Sequence, residues 1–194
     1  SKEAINFEKE MVKISQVTGF ALGDLGDLNK EITRLSTTLG VSSTKLVNVA
    51  QTLAQAGLTA RDTKKALDTL AKTELSATFE NIGQTTEGAI AIMSQFSTKV
   101  DDLESQMGSL SAVSAKFAVE SGDLITAVRK AGGAFQATGG SLNELFALFT
   151  SVRASTRESA EAIATGLRTI FARLERPKTI AFLKELGINL TDAK

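Results

Sequence analysis

The side chains of this 194-residue chain that are best spaced for chemistry are two pairs of carboxylates. Asp101 and Asp102 are adjacent, and Glu158 and Glu161 lie three residues apart. A carboxyl group serves as a general acid near neutral pH only when burial or a like charge raises its pKa. Helix N-termini also collect acidic residues, because the macrodipole favours negative charge there. We therefore interpret both pairs as solvated helix starts and predict no catalytic residue.

Two glycine doublets, Gly132-Gly133 and Gly139-Gly140, have the composition of a phosphate-binding loop. Such loops follow a strand and carry a GxxxxGK[ST] or GxGxxG pattern, and neither pattern surrounds these doublets. We interpret them as helix breaks or positions of close packing, and we predict no cofactor and no cofactor-binding residue.

A local basic run near the end of the chain consists of Arg168, Arg173, Arg176 and Lys178, interrupted by Glu175. Such a run could contact phosphate or lipid headgroups. The whole chain is neutral, however, with 22 basic and 22 acidic residues, which removes the electrostatic argument for nucleic-acid binding. A solvated face is the favoured interpretation, and sequence-specific nucleic-acid binding is not expected.

The composition excludes several classes of site. The chain has no cysteine, which excludes disulfides and thiolate chemistry, and no histidine, which excludes imidazole catalysis and histidine metal sites. We predict no metal site and no enzyme. An enzyme domain is the weakest alternative, because Glu158 or Glu161 would have to supply its chemistry.

The elements that must position these residues are helices. Hydrophobic residues make up 42% of the chain and recur at steps of three and four, with one proline and no sustained alternation. The pattern predicts an all-α, compact bundle of about eight to ten helices joined by Gly, Ser and Pro breaks. Helices are expected to stop at Gly19, Gly40 and Gly57, and a glycine- and aspartate-rich joint is expected at residues 23–27. Thr59 and Ser121 are expected to cap the helices that follow them, and the helical pattern continues from Ser76 to Val100.

The last two predicted helices meet at Pro177, which cannot continue a helix. The second runs from Lys178 to Leu186 and ends at Gly187, a plausible left-handed cap. Small residues, Ala160, Ala164 and Gly166, would let another helix approach the first. One face of the first carries a continuous apolar stripe of Ile163, Leu167, Ile170, Phe171 and Leu174.

The stretch from Ala131 to Val152 holds one charged residue, Glu144, and approaches the roughly 20 residues that cross a bilayer. Gln136, Gly139-Gly140 and Asn143 interrupt it. A helical hairpin buried in a protein core is the favoured interpretation, and an amphipathic hairpin that inserts into a membrane is the alternative.

The domain organisation has two interpretations. Ser1 is not an initiator methionine and no leader pattern follows it, which predicts a single helical module, 1–194, cut from a longer protein. A weak internal repeat suggests instead sub-units 1–100 and 101–194, with two similar three-helix units. A shift of about 78 residues aligns the pairs Leu46 with Leu124, Leu67 with Leu145, Leu70 with Leu148, Gly88 with Gly166 and Ile92 with Ile170.

Three strings resemble the conserved region of phage tail tape measure proteins. FEKEM at residues 7–11, followed by VTG at 17–19, is similar to the opening of that region. RLSTTLGVSSTKLVNVAQTLAQAGL at 34–58 resembles its second motif. GLRTIFARLERPK at 166–178, with LGI at 186–188, resembles its close. The three strings occur in the family order and span nearly the whole chain.

The resemblance implies a structural protein of a long-tailed phage or prophage. Proteins of this family set tail length, scaffold tail tube assembly and leave the tube during genome ejection. The implied partners are tail tube and tail-tip proteins, tail assembly chaperones and other copies of the chain, as a homo-oligomer. The implied location is the virion, inside the tail tube, with the host cytoplasm as the site of assembly. The family carries no catalytic motif here.

A continuous helix could act as a ruler for tail length, because its length is proportional to its number of residues. A continuous helix of 194 residues would reach about 290 Å. The frequent breaks and broad apolar faces predict a compact module instead of the ruler shaft. Docking at a tube end, self-association and a packed form that later unfolds remain open roles. A membrane-active helical module that uses residues 131–152 to help phage DNA cross the host envelope is the functional alternative, with transient host membrane contact.

Overall fold

The computed structural model describes residues 2–189, with side chains described from Phe7 onward. Over this range the chain forms ten α-helices and no strand, which confirms the predicted all-α class. A short 3-10 turn at Val100–Asp102 precedes the sixth helix. The helices are α1 (Lys2–Thr18), α2 (Leu22–Leu39), α3 (Ser43–Gln55), α4 (Ala60–Thr73), α5 (Ile82–Gln95), α6 (Leu103–Phe117), α7 (Ser121–Ala137), α8 (Leu142–Thr156), α9 (Ala160–Leu174) and α10 (Pro177–Glu185).

The contacts between residues divide the chain into two compact units. The first comprises the described residues of Ser1–Ile90 together with Lys99–Glu104, and the second comprises Ala91–Thr98 together with the described residues of Ser105–Lys194. The chain passes between the units three times, after Ile90 inside α5, after Thr98 in a connection and after Glu104 inside α6.

Unit 1 contains α1 to α4, the 3-10 turn, the first part of α5 and the first two residues of α6. Helix α3 packs against α1 and α4, α2 packs against α4 and α3, and the turn at Val100–Asp102 packs against α4. Burying apolar side chains of this kind supplies most of the stability of a helical unit. Its core side chains are Ile14, Leu28, Ile32, Leu35, Leu46, Val47, Leu53, Leu67 and Leu70.

Unit 2 is built around α7, which packs against α9 along its length and against α8. Lys130 on α7 forms an ion pair with Glu161 on α9, and Arg153 on α8 pairs with Asp123 on α7 at 3.5 Å. Its core side chains are Met107, Leu110, Leu124, Ile125, Val128, Leu142, Leu145, Phe146, Phe149, Ile163 and Leu167.

The helix ends follow the predicted chemistry in most places. Gly40 adopts a left-handed φ of 70° and its N–H donates to the carbonyl of Ser36, which closes α2 in a conformation that favours glycine. Thr59 caps α4 by accepting from the N–H of Asp62 at 3.1 Å. Pro177 occupies the first turn of α10, where its missing N–H costs nothing.

Three predicted boundaries were wrong. Residues 23–27 lie within α2, because Asp24 in the first turn and the leucines beyond it offset the low helix propensity of Gly23 and Gly26. The pattern from Ser76 to Val100 is helical only over Ile82–Gln95. Ser121 is the first residue of α7, and Glu120 takes the N-cap position.

The internal repeat has a partial counterpart in the structure. Helices α3 and α7 begin at residues 43 and 121, and α5 and α9 begin at residues 82 and 160, so both pairs of starts lie 78 residues apart. The packing partners differ, since α7 packs mainly on α9 whereas α3 packs on α1 and α4. The two segments therefore share helix spacing without sharing an arrangement.

Candidate interaction surfaces

The acidic pairs lie at exposed helix starts. Asp101, in the 3-10 turn, forms an ion pair with Lys65, and hydrogen bonding to that ammonium group is the main reason why the pKa of Asp101 lies below its ordinary value. A general acid needs the opposite shift. Glu158 is exposed before α9, and Glu161 pairs with Lys130. Asp101 and Asp102 belong to unit 1, whereas Glu158 and Glu161 belong to unit 2.

The glycine doublets have the two roles that were predicted. Gly139 adopts a left-handed φ of 92° and Gly140 follows it, between α7 and α8. Gly132 is buried inside α7, where a Cβ atom would lie 2.5 Å from Oε1 of Gln95. It therefore marks a close approach of Gln95 to the backbone of α7.

The amide of Gln95 binds the backbone of α7 through both of its ends. Its Nε2 donates to the carbonyl of Arg129 at 3.1 Å, and its Oε1 accepts from the N–H of Gly133 at 2.7 Å. This carbonyl and this N–H belong to residues four positions apart, as do the carbonyl and N–H that each α-helical hydrogen bond joins. One side chain thus fixes the end of α5 to the middle of α7.

A network of ion pairs joins three elements of unit 1. Arg34 on α2 pairs with Glu31 at 2.6 Å and with Asp68 on α4 at 2.8 Å. Lys72 pairs with Asp68 at 2.8 Å and with Glu104, at the start of α6, at 3.3 Å. Single exposed ion pairs contribute about 0–1 kcal/mol, but a connected network holds its members in a defined geometry.

The network shifts the pKa of its central carboxylate. Partial burial acts to raise the pKa of Asp68, but hydrogen bonds from Lys72 and Arg34 outweigh it, so the pKa of Asp68 lies below its ordinary value. The pKa of Arg34 is raised, chiefly by its hydrogen bonds to Glu31 and Asp68. These groups stay charged at neutral pH and act as structural cross-links.

An open cavity of about 280 Å³ lies beside this network, between α2, α4 and the 3-10 turn. Both signs of charge line it, from Lys64 and Lys65 to Glu31 and Asp101. Lys65 and Asp101 pair with each other, and the other lining carboxylates pair with Arg34 or Lys72 of the neighbouring network. In the described part of the chain, no three acidic side chains are grouped so that they could hold a metal ion.

The stretch from Ala131 to Val152 contributes to the core of unit 2. It supplies the end of α7 and most of α8, and its apolar side chains Leu142, Leu145, Phe146 and Phe149 are all buried. This agrees with the favoured interpretation as a buried helical hairpin. None of the described helices combines the length and the hydropathy that a bilayer span requires.

The apolar stripe of α9 is only half covered. Ile163 and Leu167 are buried, Phe171 is half-buried with its ring 4.7 Å from that of Phe135, and Ile170 is 55% exposed. Gly166 is also exposed and has no neighbour within 4 Å of a Cβ position, so no helix packs against it. The periodicity identified the stripe, but it did not predict which stripe residues other helices cover.

Helix α10, which follows, is exposed as well. None of its nine residues is buried. Lys178, Phe182 and Leu186 follow at steps of four, which places them on one side, and the Phe182 side chain is 58% exposed. We call the set Ile170, Arg173, Lys178, Phe182 and Leu186 the C-terminal face.

The basic run shares Arg173 and Lys178 with this face, and all four of its residues are exposed. Neither Arg173 nor Lys178 takes part in an ion pair within the described residues, in contrast to Lys65 and Lys72 in unit 1. Residues 166–188 carry five basic and two acidic side chains, a net charge of +3 in a neutral chain. The exposure of the basic run thus confirms its interpretation as a solvated face. The exposed apolar side chains of the C-terminal face were not predicted.

A second exposed surface lies at the junction of α1 and α2. Val17 is 56% exposed and Leu22 is 86% exposed, the largest value among the exposed apolar side chains of the described chain. Asp24 and Asp27 follow in the first two turns of α2 and are exposed, and Asp27 pairs with Lys30 at 3.5 Å. We call Val17, Leu22, Asp24 and Asp27 the α1–α2 corner.

The comparisons with known proteins bear on these surfaces. No solved structure matches the chain, so its fold has to be read from its own contacts. The family model described as "Phage-related minor tail protein" matches residues 29–194, which is most of the chain and includes the second and third motifs. A structural role in the tail of a phage particle follows from this match. The chain belongs to the phage-related minor tail protein family.

Proposed function

We propose that the chain is a folded module of a tape measure protein, the minor tail protein that sets tail length and scaffolds the tail tube. The observation that carries this proposal is the family match over residues 29–194. The FEKEM and VTG strings, which lie before the matched range, and the GLRTIFARLERPK string within it agree with the tape measure type in particular.

Within that protein, the module has an assembly role and is not the shaft of the ruler. The longest helix, α2, has 18 residues, which corresponds to about 27 Å. Each unit packs its helices against one another around its own core, so the length of these units does not grow in proportion to residue number. A ruler requires that proportionality, and the long remainder of the parent protein would supply it.

The proposed partners are the tail tube and tail-tip proteins, the tail assembly chaperones and further copies of the chain. The C-terminal face and the α1–α2 corner are the surfaces that such partners would cover, since both expose apolar side chains. The proposed location is the interior of the tail tube after assembly in the host cytoplasm, and release accompanies genome ejection. The role is structural and needs no catalytic residue or cofactor.

Measurement of tail length by electron microscopy tests the proposal. One phage carries an in-frame deletion of this module, and a second carries a deletion of equal length in the rest of the parent gene. If the module were shaft, its deletion would shorten tails by about 290 Å, the length of a continuous helix of 194 residues. We expect proportional shortening only from the second deletion and failed tail assembly from the first.

Two point variants on α8 test whether tail assembly requires the module to be folded or only requires its residues to be present. Leu145→Asp places a charge in the core of unit 2, whereas Asn143→Asp adds the same charge at an exposed position of the same helix. We expect few or no tails from the first and normal tails from the second. Normal tails from the module deletion or from Leu145→Asp would overturn the proposed role.

A further inference from the structure

One part of unit 1, residues 99–104, is separated in the sequence from the rest of that unit. Residues 91–98 before it and Ser105 after it belong to unit 2. The segment contains the 3-10 turn at Val100–Asp102, which packs against α4, and the first two residues of α6. We call residues 99–104 the strap. Its place in unit 1 depends on its contacts, because its neighbours on both sides in the sequence belong to the other unit.

Two ion pairs hold the strap on α4. Lys65 pairs with Asp101, and Lys72 pairs with Glu104 at 3.3 Å. The two lysines lie two helical turns apart, so both extend from the same side of α4. The carboxylate side chains of Asp101 and Glu104 are 61% and 65% exposed. Dissolved salt therefore screens both pairs and weakens them.

The apolar part of the strap is small. Leu103 is fully buried and Val100 is half-buried, whereas each of the helices α2, α3 and α4 buries at least three apolar side chains. The open cavity of about 280 Å³ lies between the strap, α2 and α4, and Val100, Asp101 and Glu104 line it. A segment with few buried apolar side chains opens at a lower free energy than the core of its unit.

We propose that the strap is a salt-dependent switch, which detaches from α4 while the helices of unit 1 stay folded. Detachment reduces the three passages of the chain between the units to one, after Ile90. It also opens the side of the cavity that Val100, Asp101 and Glu104 line. The switch therefore decides whether the chain joins the two units once or three times. The inference concerns the purified chain and does not depend on the role in tail length.

Labelling of a single thiol measures detachment, because the chain has no cysteine of its own. Leu103→Cys reports on the strap, and Leu46→Cys, at a fully buried position of α3, reports on opening of the helices of unit 1. A buried thiol reacts with the uncharged reagent N-ethylmaleimide only when its segment opens. We expect the Leu103→Cys thiol to react about tenfold faster than the Leu46→Cys thiol or more.

The salt dependence of the two rates tests the role of the ion pairs. Sodium chloride is raised from about 0.01 M to about 1 M, which shortens the screening length from about 30 Å to about 3 Å. We expect the labelling rate of the Leu103→Cys chain to rise by about fivefold, since two exposed ion pairs are weakened. The labelling rate of the Leu46→Cys chain is expected not to rise.

Two adjacent aspartates provide matched variants in the Leu103→Cys chain. Asp101→Asn removes the pair with Lys65, whereas Asp102 has no ion pair in the described part of the chain. Both residues lie immediately before α6, so either substitution weakens the interaction with its N-terminus alike. At low salt we expect Asp101→Asn to raise the labelling rate by about threefold and Asp102→Asn to change it by less than about twofold. Asp101→Asn combined with Glu104→Gln should abolish the salt dependence.

Hydrogen exchange of the unsubstituted chain provides a second measurement, because Leu103→Cys shortens a buried side chain. The N–H of Leu103 donates to the carbonyl of Val100 in the 3-10 turn, so its exchange rate reports on the strap directly. We expect salt to accelerate this exchange, while the amides in the middle of α3 exchange slowly and the circular dichroism spectrum stays unchanged.

Three results would overturn the inference. Equal labelling rates for Leu103→Cys and Leu46→Cys at every salt concentration would mean that the strap leaves only when unit 1 unfolds. A rate increase from Asp102→Asn as large as that from Asp101→Asn would exclude the ion pairs as the contacts that hold the strap. Exchange of the Leu103 amide that is slow and independent of salt would exclude a switch of any kind.

Discussion

Replacement of Gly132 by alanine tests the clamp between α5 and α7. A Cβ atom at Gly132 would lie 2.5 Å from Oε1 of Gln95 and 2.9 Å from Cε2 of Phe96. Contacts this short force at least one group to move. The Gln95 amide can move only by giving up its hydrogen bonds to Arg129 and Gly133, and the Phe96 ring is less adaptable than a side-chain end.

The expected magnitude follows from three opposing contributions. Alanine is favoured over glycine in a helix interior by about 1 kcal/mol. Overpacking costs about 1–3 kcal/mol, and each lost hydrogen bond costs about 1 kcal/mol. We therefore expect Gly132→Ala to lower the free energy of unfolding by about 1–3 kcal/mol.

The neighbouring glycine provides a matched control. At Gly133 the nearest atom to a Cβ, Oε1 of Gln95, lies at 3.8 Å, an ordinary van der Waals distance. Gly133→Ala is therefore expected to raise the free energy of unfolding by about 0.4–1 kcal/mol. Adjacent residues of one type in one helix thus have predicted effects of opposite sign.

Urea unfolding followed by far-UV circular dichroism measures both changes, with the slope of the transition checked for constancy. Gln95→Ala removes one of the two crowding groups, so Gly132→Ala should be less destabilising in that background by about 1 kcal/mol. If Gly132→Ala and Gly133→Ala both stabilised the chain, the close approach of Gln95 to α7 would be refuted.

Three further predictions concern single residues. Ser141→Ala should cost about 1 kcal/mol in urea unfolding, because it removes the hydroxyl that accepts from the N–H of Glu144 in the cap of α8, whereas a more stable variant would exclude that cap. Gly166→Ala should stabilise by up to about 1 kcal/mol, since the position is helical and open; a loss of stability would mean that another group approaches it. Asp68→Asn should destabilise most at neutral pH. Because the pKa of Asp68 is depressed in the folded state, its contribution to the free energy of unfolding is complete at pH values above the ordinary pKa of 3.8. That contribution is lost as pH falls through the folded-state pKa, so the difference in stability between the variant and the wild type should shrink in acid. A difference that stays constant from neutral pH to pH values well below 3.8 would contradict the network.

The predictable part of the fold was the part that local chemistry decides. A few consecutive residues are enough to predict a helix end of this kind. Examples are the left-handed glycine at Gly40, the threonine cap at Thr59 and the start of α10 at Pro177. Residues 23–27 show the limit of this reasoning. Two glycines predicted a joint there, yet the leucines of α2 that pack against α3 and α4 hold the segment in a helix.

The candidate surfaces were less predictable because they depend on distant residues. Arg34 and Asp68 are 34 positions apart, and Gln95 is 38 positions from Gly133, so no periodicity within one helix relates them. The stripe of α9 illustrates the same point. Its spacing identifies the apolar side, but the exposure of Ile170 depends on where neighbouring helices end.

The glycine-terminated helices have a mechanical consequence. In each helix the backbone hydrogen bonds close within the helix, whereas the helices are joined by short connections such as the ones at Gly40 and Gly139. Tension applied to the ends of the chain would first meet the side-chain contacts between helices. The units would lengthen by separating into a string of rigid rods, and the rods themselves would unravel only at greater extension. A string of rods is narrow, about 10–12 Å across, and it preserves most of its backbone hydrogen bonds while the chain extends.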